Sequence, residues 1–222
     1  MSFCEEWDQA YQQGNQLSVW PWSDLVSLVM RLARPQSSDF RVLELGCGAG
    51  AIIRFFRKLG IQYFGIEGSP HIVGRLKKRF PELENQLEAG DFTKNLFFEG
   101  DFDLIVDRSS LTHNPTIDIE HCLKMAYDKL KPGGKFIGID WFSTEHSDRK
   151  KGRLVDDQYT YTDFSEGQFK GIGKVHFSDA EHIKEVFKSF RILHLEQKIY
   201  QRVIPKTELK FASWNLVAEK MA

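Results

Sequence analysis

The sequence predicts one α/β domain built around a mostly parallel sheet, and two observations support this prediction. Apolar segments of strand type alternate with segments of helical periodicity from residue 23 to about residue 190. No internal repeat, low-complexity tract or proline- and serine-rich linker breaks that order. Because parallel strands need long crossovers, which are usually helical, this alternation is typical of a parallel sheet with helices packed against it.

The composition is that of a globular protein with a net charge near zero and no cysteine framework. Hydrophobic residues make up 41% and charged residues 27% of the 222 residues, close to the averages for soluble domains. The formal net charge of -1 lacks the positive field that nucleic-acid-binding proteins usually carry. Cys4, Cys47 and Cys122 are far apart and have no CxxC spacing, so the sequence supports neither a disulfide framework nor a metal site.

Two features of the sequence bear on the cellular compartment of the protein. The first 16 residues contain acids where a signal peptide has a basic patch and an apolar run, and no later stretch approaches the roughly 20 apolar residues that span a bilayer. We therefore predict a cytoplasmic protein with no membrane partner, present as a monomer or homodimer.

Helices and strands of the first half follow from periodicity and from the residues that end each element. Ser23 and Ser69 are placed as N-caps, Pro70 suits a first helical turn, and Gly60 suits the position after a helix. The predicted elements are a helix over 23–34, a strand over 40–46, a helix over 51–59, a strand over 62–67, a helix over 70–80 and a weaker strand over 85–91.

The second half continues the same alternation and then departs from it. Its predicted elements are a strand over 102–109, a helix over 116–130, a strand over 135–142, a helix over 178–190 and two strands over 191–203 and 209–220 that form a terminal antiparallel hairpin. Ser178 and Glu181 are spaced as a capping box. Between the fifth strand and the last helix the pattern lapses for longer than an ordinary connection. We predict a single domain over 1–222 with an N-terminal cap over 1–38 and a lid-like insertion over about 143–177.

Three glycines at alternate positions follow the first strand, in the stretch VLELGCGAG. In an open parallel sheet, ligands bind beyond the carboxyl ends of the strands, where this loop lies. Gly46, Gly48 and Gly50 let the backbone turn sharply and present N–H groups to a ligand without side chains in the way. The loop therefore faces a small molecule.

The residues around the glycines discriminate between two ligand classes. A dinucleotide-binding loop expects GxGxxG, whereas Ala51 here follows GxGxG. Glu44, two residues before the first glycine, is poorly suited to a pyrophosphate and well suited to a ligand with an amino group. Both features disfavour a nicotinamide-dependent oxidoreductase. ELGCGAG resembles the nucleotide loop of class I S-adenosylmethionine-dependent methyltransferases.

This resemblance covers roughly residues 40 to 142 and implies a Rossmann-like, doubly wound, seven-stranded sheet with S-adenosylmethionine as cofactor. Glu67, followed by Gly68 in FGIEGS, matches the family's acid that accepts hydrogen bonds from both ribose hydroxyls. Asp91 in AGDF matches the acid that meets the adenine amino group, with Phe92 beside the ring. Asp107 lies, in family terms, near the methionyl part of the cofactor, and LKPGGKF resembles the family's turn into the fifth strand.

Acceptor-side groups have to come from loops beyond the strand ends. His113 is the candidate general base, or equally a histidine that caps the approach to the next helix. Arg108 pairs with Asp107 or meets an acidic substrate. Tyr161 and His176, in the insertion, line an acceptor pocket or belong to one buried strand face.

The N-terminal segment is a further candidate for the acceptor side. Trp20 and Trp22 flank a proline in SVWPW, and such large apolar side chains are costly to expose. They fold across the opening of the pocket or pack under the first helix. Tyr11, earlier in the segment, has the same two interpretations.

We hypothesise methyl transfer from S-adenosylmethionine to a small-molecule oxygen or nitrogen acceptor. The resembling family's branch that methylates nucleic-acid amino groups carries an Asn/Asp-Pro-Pro-aromatic signature after strand four. This chain has the sequence DRSS there, which argues against methylation of a nucleic-acid base and, with the near-neutral charge, favours a small molecule over a protein acceptor. The alternatives are a non-catalytic protein that binds the cofactor as a sensor or partner, and the disfavoured oxidoreductase; aminopropyl transfer lacks an evident acidic cluster for a polyamine.

Overall fold

A computed structural model describes residues 5–14 and 17–221 of the chain. Its strands are β1 (Arg41–Leu45), β2 (Gln62–Glu67), β3 (Leu87–Ala89), β4 (Phe102–Arg108), β5 (Leu130–Phe142), β6 (Arg153–Leu154), β7 (Thr160–Thr162), β8 (Val175–His176), β9 (Arg191–Gln201) and β10 (Lys210–Glu219). Its α-helices are α1 (Glu5–Gln12), α2 (Ser23–Leu28), α3 (Ile53–Lys58), α4 (Pro70–Arg79), α5 (Thr116–Lys129) and α6 (Ala180–Val186).

The central sheet has the strand order β3-β2-β1-β4-β5-β10-β9. Strands β1 to β5 pair in parallel, and β10 runs antiparallel to both β5 and β9. The predicted fold class, a mostly parallel seven-stranded sheet with a terminal antiparallel hairpin, is confirmed. The order reverses beside β1, so the loops after β1 and β4 diverge and leave a crevice between them.

Helices cover both faces of the sheet, which explains the apolar character of its central strands. Side chains alternate between the two faces along each strand. Val42 of β1 packs in the cluster that contains Phe56 of α3 and Leu76 of α4, whereas its neighbour Leu43 packs in the cluster that contains Leu123 of α5. The fold is therefore doubly wound.

Two predicted caps are wrong. Ser23 is the first residue of α2, and the N-cap position is held by Trp22, which makes no side-chain capping bond. Ser178 does not cap α6, because Asp179 does so by accepting a 2.8 Å hydrogen bond from the His182 amide. The Ser178 backbone instead pairs with β5 at Phe142, which places it one residue too early to cap the helix.

The segment predicted as an insertion forms a small antiparallel sheet of its own, in the order β6-β7-β8. Its aromatic side chains share a core with the end of β5, formed by Phe142, Phe164, Phe169 and Phe177. The insertion is thereby fixed over the carboxyl edge of the main sheet.

Two remaining predictions concern the cysteines and membrane-spanning helices. Cys4 lies outside the described residues, while Cys47 and Cys122 are buried thiols. Within residues 5–14 and 17–221, no helix combines the length and the apolar composition needed to cross a bilayer.

Candidate active site

A cavity of about 310 Å³ opens at the carboxyl ends of β1, β2, β4 and β5. The loop after β1 forms its floor, α1 and the segment before α2 close one side, and the insertion closes another. The sequence placed most of its candidate residues here. Those that line the cavity are Tyr11, Trp22, Glu44, Gly46, Gly48, Glu67, Gly68, Asp91, Phe92, Arg108 and His113.

The glycines after β1 serve two different purposes. Gly46 has φ +64°, and a Cβ there would lie 2.0 Å from the Ser110 Oγ, so the loop can approach β4 only with glycine. Gly48 lines the cavity. Gly50 does not, since its missing Cβ makes room for the side chains of Ile53 and Leu76, each 2.8 Å from that position. The predicted ligand-binding role of Gly50 is thus replaced by helix packing.

The Glu67 carboxylate, at the end of β2, is bonded to the loop on both oxygens. Oε2 accepts a 2.8 Å hydrogen bond from the Gly48 amide, and Oε1 accepts one of 3.1 Å from the Ser69 amide. Burial raises the pKa of Glu67, while these amides oppose that shift. The Gly68 amide opposes the shift in the same way, so three of the roughly four lone-pair sites of the carboxylate face backbone amides.

Glu44 lies beneath the same loop. Its carboxylate is almost fully buried and accepts a hydrogen bond from the Tyr63 hydroxyl. Burial raises its pKa well above the ordinary value. The cavity wall at this point therefore offers a carboxyl group that is protonated more readily than one in water.

Asp91 and Phe92 follow β3 and line the cavity on the side of Gly90. The amide and hydroxyl of Thr93 donate hydrogen bonds of 3.0 and 2.6 Å to Oδ1 of Asp91. These bonds fix the carboxylate at the end of its strand, where Phe92 offers an aromatic ring to the same space.

Asp107 does not reach the cavity, contrary to its predicted place near the ligand. It is completely buried and accepts hydrogen bonds from the Ser110 and Leu111 amides and from the Trp141 indole, at 3.1, 3.0 and 2.6 Å. Burial raises its pKa to about 7. Asp107 thus holds the turn that carries Arg108 and His113.

His113 presents one ring nitrogen to the protein. Its Nδ1 lies 2.9 Å from the Lys174 carbonyl oxygen, and because a carbonyl can only accept, Nδ1 carries the proton. Burial lowers its pKa to about 4, so the ring is neutral near pH 7. Nε2 is therefore a hydrogen-bond acceptor. Trp7 of α1 meets this ring edge-on, with centroids 4.9 Å apart.

Arg108 lies between an aromatic ring and a carboxylate. Its guanidinium carbon is 4.1 Å from the centroid of Trp22, and Nη2 is 3.2 Å from Oδ2 of Asp140. Asp140 adopts a left-handed backbone with φ +56°, which is uncommon for a non-glycine residue and is often found at functional sites. The predicted alternative, a pair between Arg108 and Asp107, is not formed.

Three predicted acceptor residues lie elsewhere. Trp20 is 71% exposed and outside the cavity lining. Tyr161 packs against Phe177 within the insertion, with ring centroids 5.7 Å apart. His176 is buried in β8, where its nitrogens lie 3.0 Å from Thr160 Oγ1 and 3.0 Å from His182 Nε2. The last two belong to the core of the insertion, which was the alternative interpretation of their alternating pattern.

Several lining residues were not predicted. They include Trp7, Asp140, Phe142, Gln168, Phe169 and Phe211. Asp140 carries the one signal that sequence could have used, an acid near the end of an apolar strand in KFIGIDWF. The aromatic residues come from α1, the end of β5, the insertion and the terminal hairpin, and nothing in their local sequence marks them.

The profile of the family described as methyltransferase domain matches residues 16–190. The chain belongs to the methyltransferase family. The predicted family, that of the methyltransferases, is thereby confirmed.

Three similar proteins illustrate the family. The methyltransferase is 31% identical to sterol 24-C-methyltransferase ERG6 of Saccharomyces cerevisiae over 113 residues, which are 48% of this chain and 29% of the relative. It is 31% identical to the ubiquinone biosynthesis O-methyltransferase of Xanthomonas axonopodis pv. citri over 112 residues, which are 47% of this chain and 44% of the relative. These alignments thus span less than half of either relative.

A solved structure shows the same fold over a greater length. The S-adenosylmethionine-dependent methyltransferase from Methanosarcina mazei superposes with a TM-score of 0.68 and 15% identity, over 91% of this chain and 99% of that chain. The two relatives above are named as a C-methyltransferase and an O-methyltransferase. Membership of the family therefore does not select the acceptor atom of this methyltransferase.

Proposed function

We propose that the methyltransferase transfers a methyl group from S-adenosylmethionine to an oxygen or nitrogen of a small molecule. The observation that carries this proposal is the neutral His113 ring, whose Nε2 has no hydrogen-bond partner within the described residues. An unprotonated imidazole nitrogen accepts from an O–H or N–H group. A C–H group offers it no comparable bond.

The residues at the glycine loop fit the cofactor. Glu67 places a carboxylate at the end of β2 beside the loop, which matches a ribose hydroxyl in polarity. Asp91 and Phe92 offer a carboxylate and an aromatic ring for an adenine amino group and its ring. Gly46 and Gly48 present backbone rather than side chains to the cavity. At Gly46 a side chain would collide with Ser110.

The remaining proposed contacts surround the same end of the cavity. The Tyr11 hydroxyl lies 3.4 Å from the position that a Gly48 Cβ would occupy, so α1 covers the loop. Glu44 and Gly68 complete this wall. Tyr11, Glu44 and Glu67 are buried in this wall, and exclusion of water strengthens the polar contacts that such groups make.

The bound cofactor would supply a methyl group attached to a positively charged sulfur. The protein then has to position the acceptor and exclude water, and such positioning can contribute roughly 7 to 11 kcal/mol. His113 orients the acceptor by taking its hydrogen bond, and Asp107 fixes the turn on which His113 sits. With a pKa of about 4, His113 is a hydrogen-bond acceptor rather than a strong base.

The small-molecule acceptor and the lid-like role of the insertion form part of this proposal. A cavity of about 310 Å³ lies at the low end of the range for small-molecule sites. The insertion contributes Gln168 and Phe169 to it, and a closed aromatic wall suits a small acceptor better than a nucleic-acid strand. We propose a monomer or homodimer without a nucleic-acid partner.

Calorimetric titration with S-adenosylhomocysteine, the demethylated product, tests the cofactor half of the proposal. We expect one site per chain. Absence of binding at tens of micromolar ligand would contradict it. Product release from a panel of hydroxyl- and amine-bearing acceptors then tests transfer, and His113→Phe is expected to reduce turnover with those acceptors while leaving the binding of S-adenosylhomocysteine unchanged.

A further inference from the structure

Arg108 is the single positively charged side chain among the described residues that line the cavity. It sits at the end of β4, on the opposite side of the glycine loop from Glu67 and Asp91. Its guanidinium carbon stacks 4.1 Å from the Trp22 ring centroid, which fixes the plane of the group. The cavity therefore has one fixed cation at its acceptor side.

This cation is only partly satisfied by the protein. Nη2 donates to Asp140 at 3.2 Å, whereas Nε is buried and makes no hydrogen bond within the described residues. An unpaired buried donor is costly, and the planar guanidinium is suited to two parallel bonds with a carboxylate. Because the Arg108 side chain is still 35% exposed and lines the cavity, the accessible part of its guanidinium can donate to a ligand.

The Asp140 carboxylate is not available to bind an ammonium group of a ligand. Oδ1 accepts hydrogen bonds from Lys198 Nζ at 2.8 Å and from Ser213 Oγ at 3.3 Å, and Oδ2 accepts from Arg108. Its charge is thus already shared between two cations. The acceptor side favours an anion over a cation.

The wall facing this site is aromatic. Phe142 meets Phe169 edge-on with centroids 4.7 Å apart, and Phe211 lies 6.3 Å from Phe142. All three line the cavity, as does His113. The three rings pack on one another into one apolar surface, against which a flat, apolar group can stack.

We infer that the acceptor of this methyltransferase is a planar hydroxy or amino acid: a flat unsaturated body that carries a carboxylate bound by Arg108 and an O–H or N–H group bound by His113. This inference rests on the proposed function, and it names the class of acceptor for the same site. It makes Arg108 the residue that selects a charged acceptor over its neutral analogue.

The experiment measures binding without turnover, in wild-type protein saturated with S-adenosylhomocysteine. Matched probes share a hydroxyphenyl, hydroxycinnamoyl or indolyl body and end in a carboxylate, a primary amide or an amine. Arg108→Gln removes the cation. Arg149→Gln is the matched control, because Arg149 also stacks on an aromatic ring, Tyr161 at 5.8 Å, but lies outside the cavity lining.

For at least one body we expect the carboxylate to bind at least tenfold more tightly than its amide. Arg108→Gln is expected to remove that preference, whereas Arg108→Lys and Arg149→Gln keep it. Should Arg108→Gln fail to fold, the relative affinities of the wild-type protein for the carboxylate and the amide test the inference. Equal binding of the two, tighter binding of the amines, or no binding of any carboxylate would overturn the inference and leave the proposed function standing.

The affinity for S-adenosylhomocysteine separates two further outcomes. If Arg108→Gln lowered that affinity tenfold, Arg108 would bind the carboxylate of the cofactor and the inference would be wrong. If wild-type protein did not bind S-adenosylhomocysteine at all, the proposed function would fail and the inference with it.

Discussion

The amide of Gly48 donates a 2.8 Å hydrogen bond to Oε2 of Glu67, which ties the loop after β1 to the end of β2. Glu67 therefore has two tasks. It holds the glycine loop through the Gly48 amide, and its carboxylate lines the cavity, where its remaining acceptor capacity is offered to a ligand. Loss of its carboxylate would affect the loop and the ligand together.

We expect Glu67→Ala to weaken binding of S-adenosylhomocysteine by about 1 to 3 kcal/mol, as for the loss of hydrogen bonds to a charged acceptor. Isothermal titration calorimetry measures the change. Glu84→Ala is the control, because Glu84 is exposed in the turn Pro81–Gln86, outside the cavity. Unchanged affinity in Glu67→Ala would show that the ribose lies elsewhere.

Gly46→Ala tests the close contact between the loop and β4. Gly46 and Gly60 have similar φ values, +64° and +71°, but a Cβ at Gly60 would meet nothing within 4 Å. Both alanine variants bear the cost of a left-handed backbone, about 1 to 2 kcal/mol. Only Gly46→Ala must also displace Ser110, so we expect a lower denaturation midpoint than for Gly60→Ala and weaker binding of S-adenosylhomocysteine. Equal behaviour of the two variants would mean that Ser110 moves aside at no cost.

His113 is expected to make stability depend on pH. Burial lowers its pKa to about 4, from 6.5 in the unfolded chain, so between these values the unfolded state binds a proton that the folded state does not. The free energy of unfolding therefore falls as pH falls through this window.

Comparison with His113→Phe isolates this contribution from that of other histidines. The stability advantage of wild-type protein over His113→Phe is expected to shrink from pH 6.5 to about pH 4 in urea denaturation. The exposed His71 on α4 provides the control substitution, His71→Phe. A difference that stays constant across the window, or an imidazole that titrates by NMR at its ordinary value, would contradict the assignment.

Lys198 is expected to join the terminal hairpin to the rest of the domain. Although burial opposes it, hydrogen bonds with Asp140 and Asp24 raise its pKa. Lys198→Met removes the cation beside Asp24 and leaves Asp140 with Arg108 alone, and we expect a loss of about 2 to 3 kcal/mol of stability, allowing for the partial exposure of Asp24.

Urea denaturation of Lys198→Met and of Lys184→Met measures this difference. Lys184 pairs with Glu181 on the surface, with side chains 55% and 82% exposed, so its loss is expected to cost less than about 0.5 kcal/mol. Similar losses in the two variants would show that the Lys198 pairs add nothing to the hairpin.

The sequence alone determined the sheet and the end of the cavity formed by β1 and β2. Alternating periodicity is a local property of the chain, and so is a run of glycines after a strand. The carboxyl ends of parallel strands share one edge of the sheet, and this alone predicts that Glu67, Asp91 and Gly48 lie together.

The tertiary structure decided which way the other acids point. Asp107 and Asp140 both belong to apolar strands, yet Trp141 draws Asp107 into the core while Arg108 and Lys198 hold Asp140 at the cavity. These partners lie up to 58 residues away in the chain. Local periodicity carries no information about contacts between distant segments. The acceptor side, assembled from α1, the insertion and the hairpin, is therefore fixed only when those segments pack.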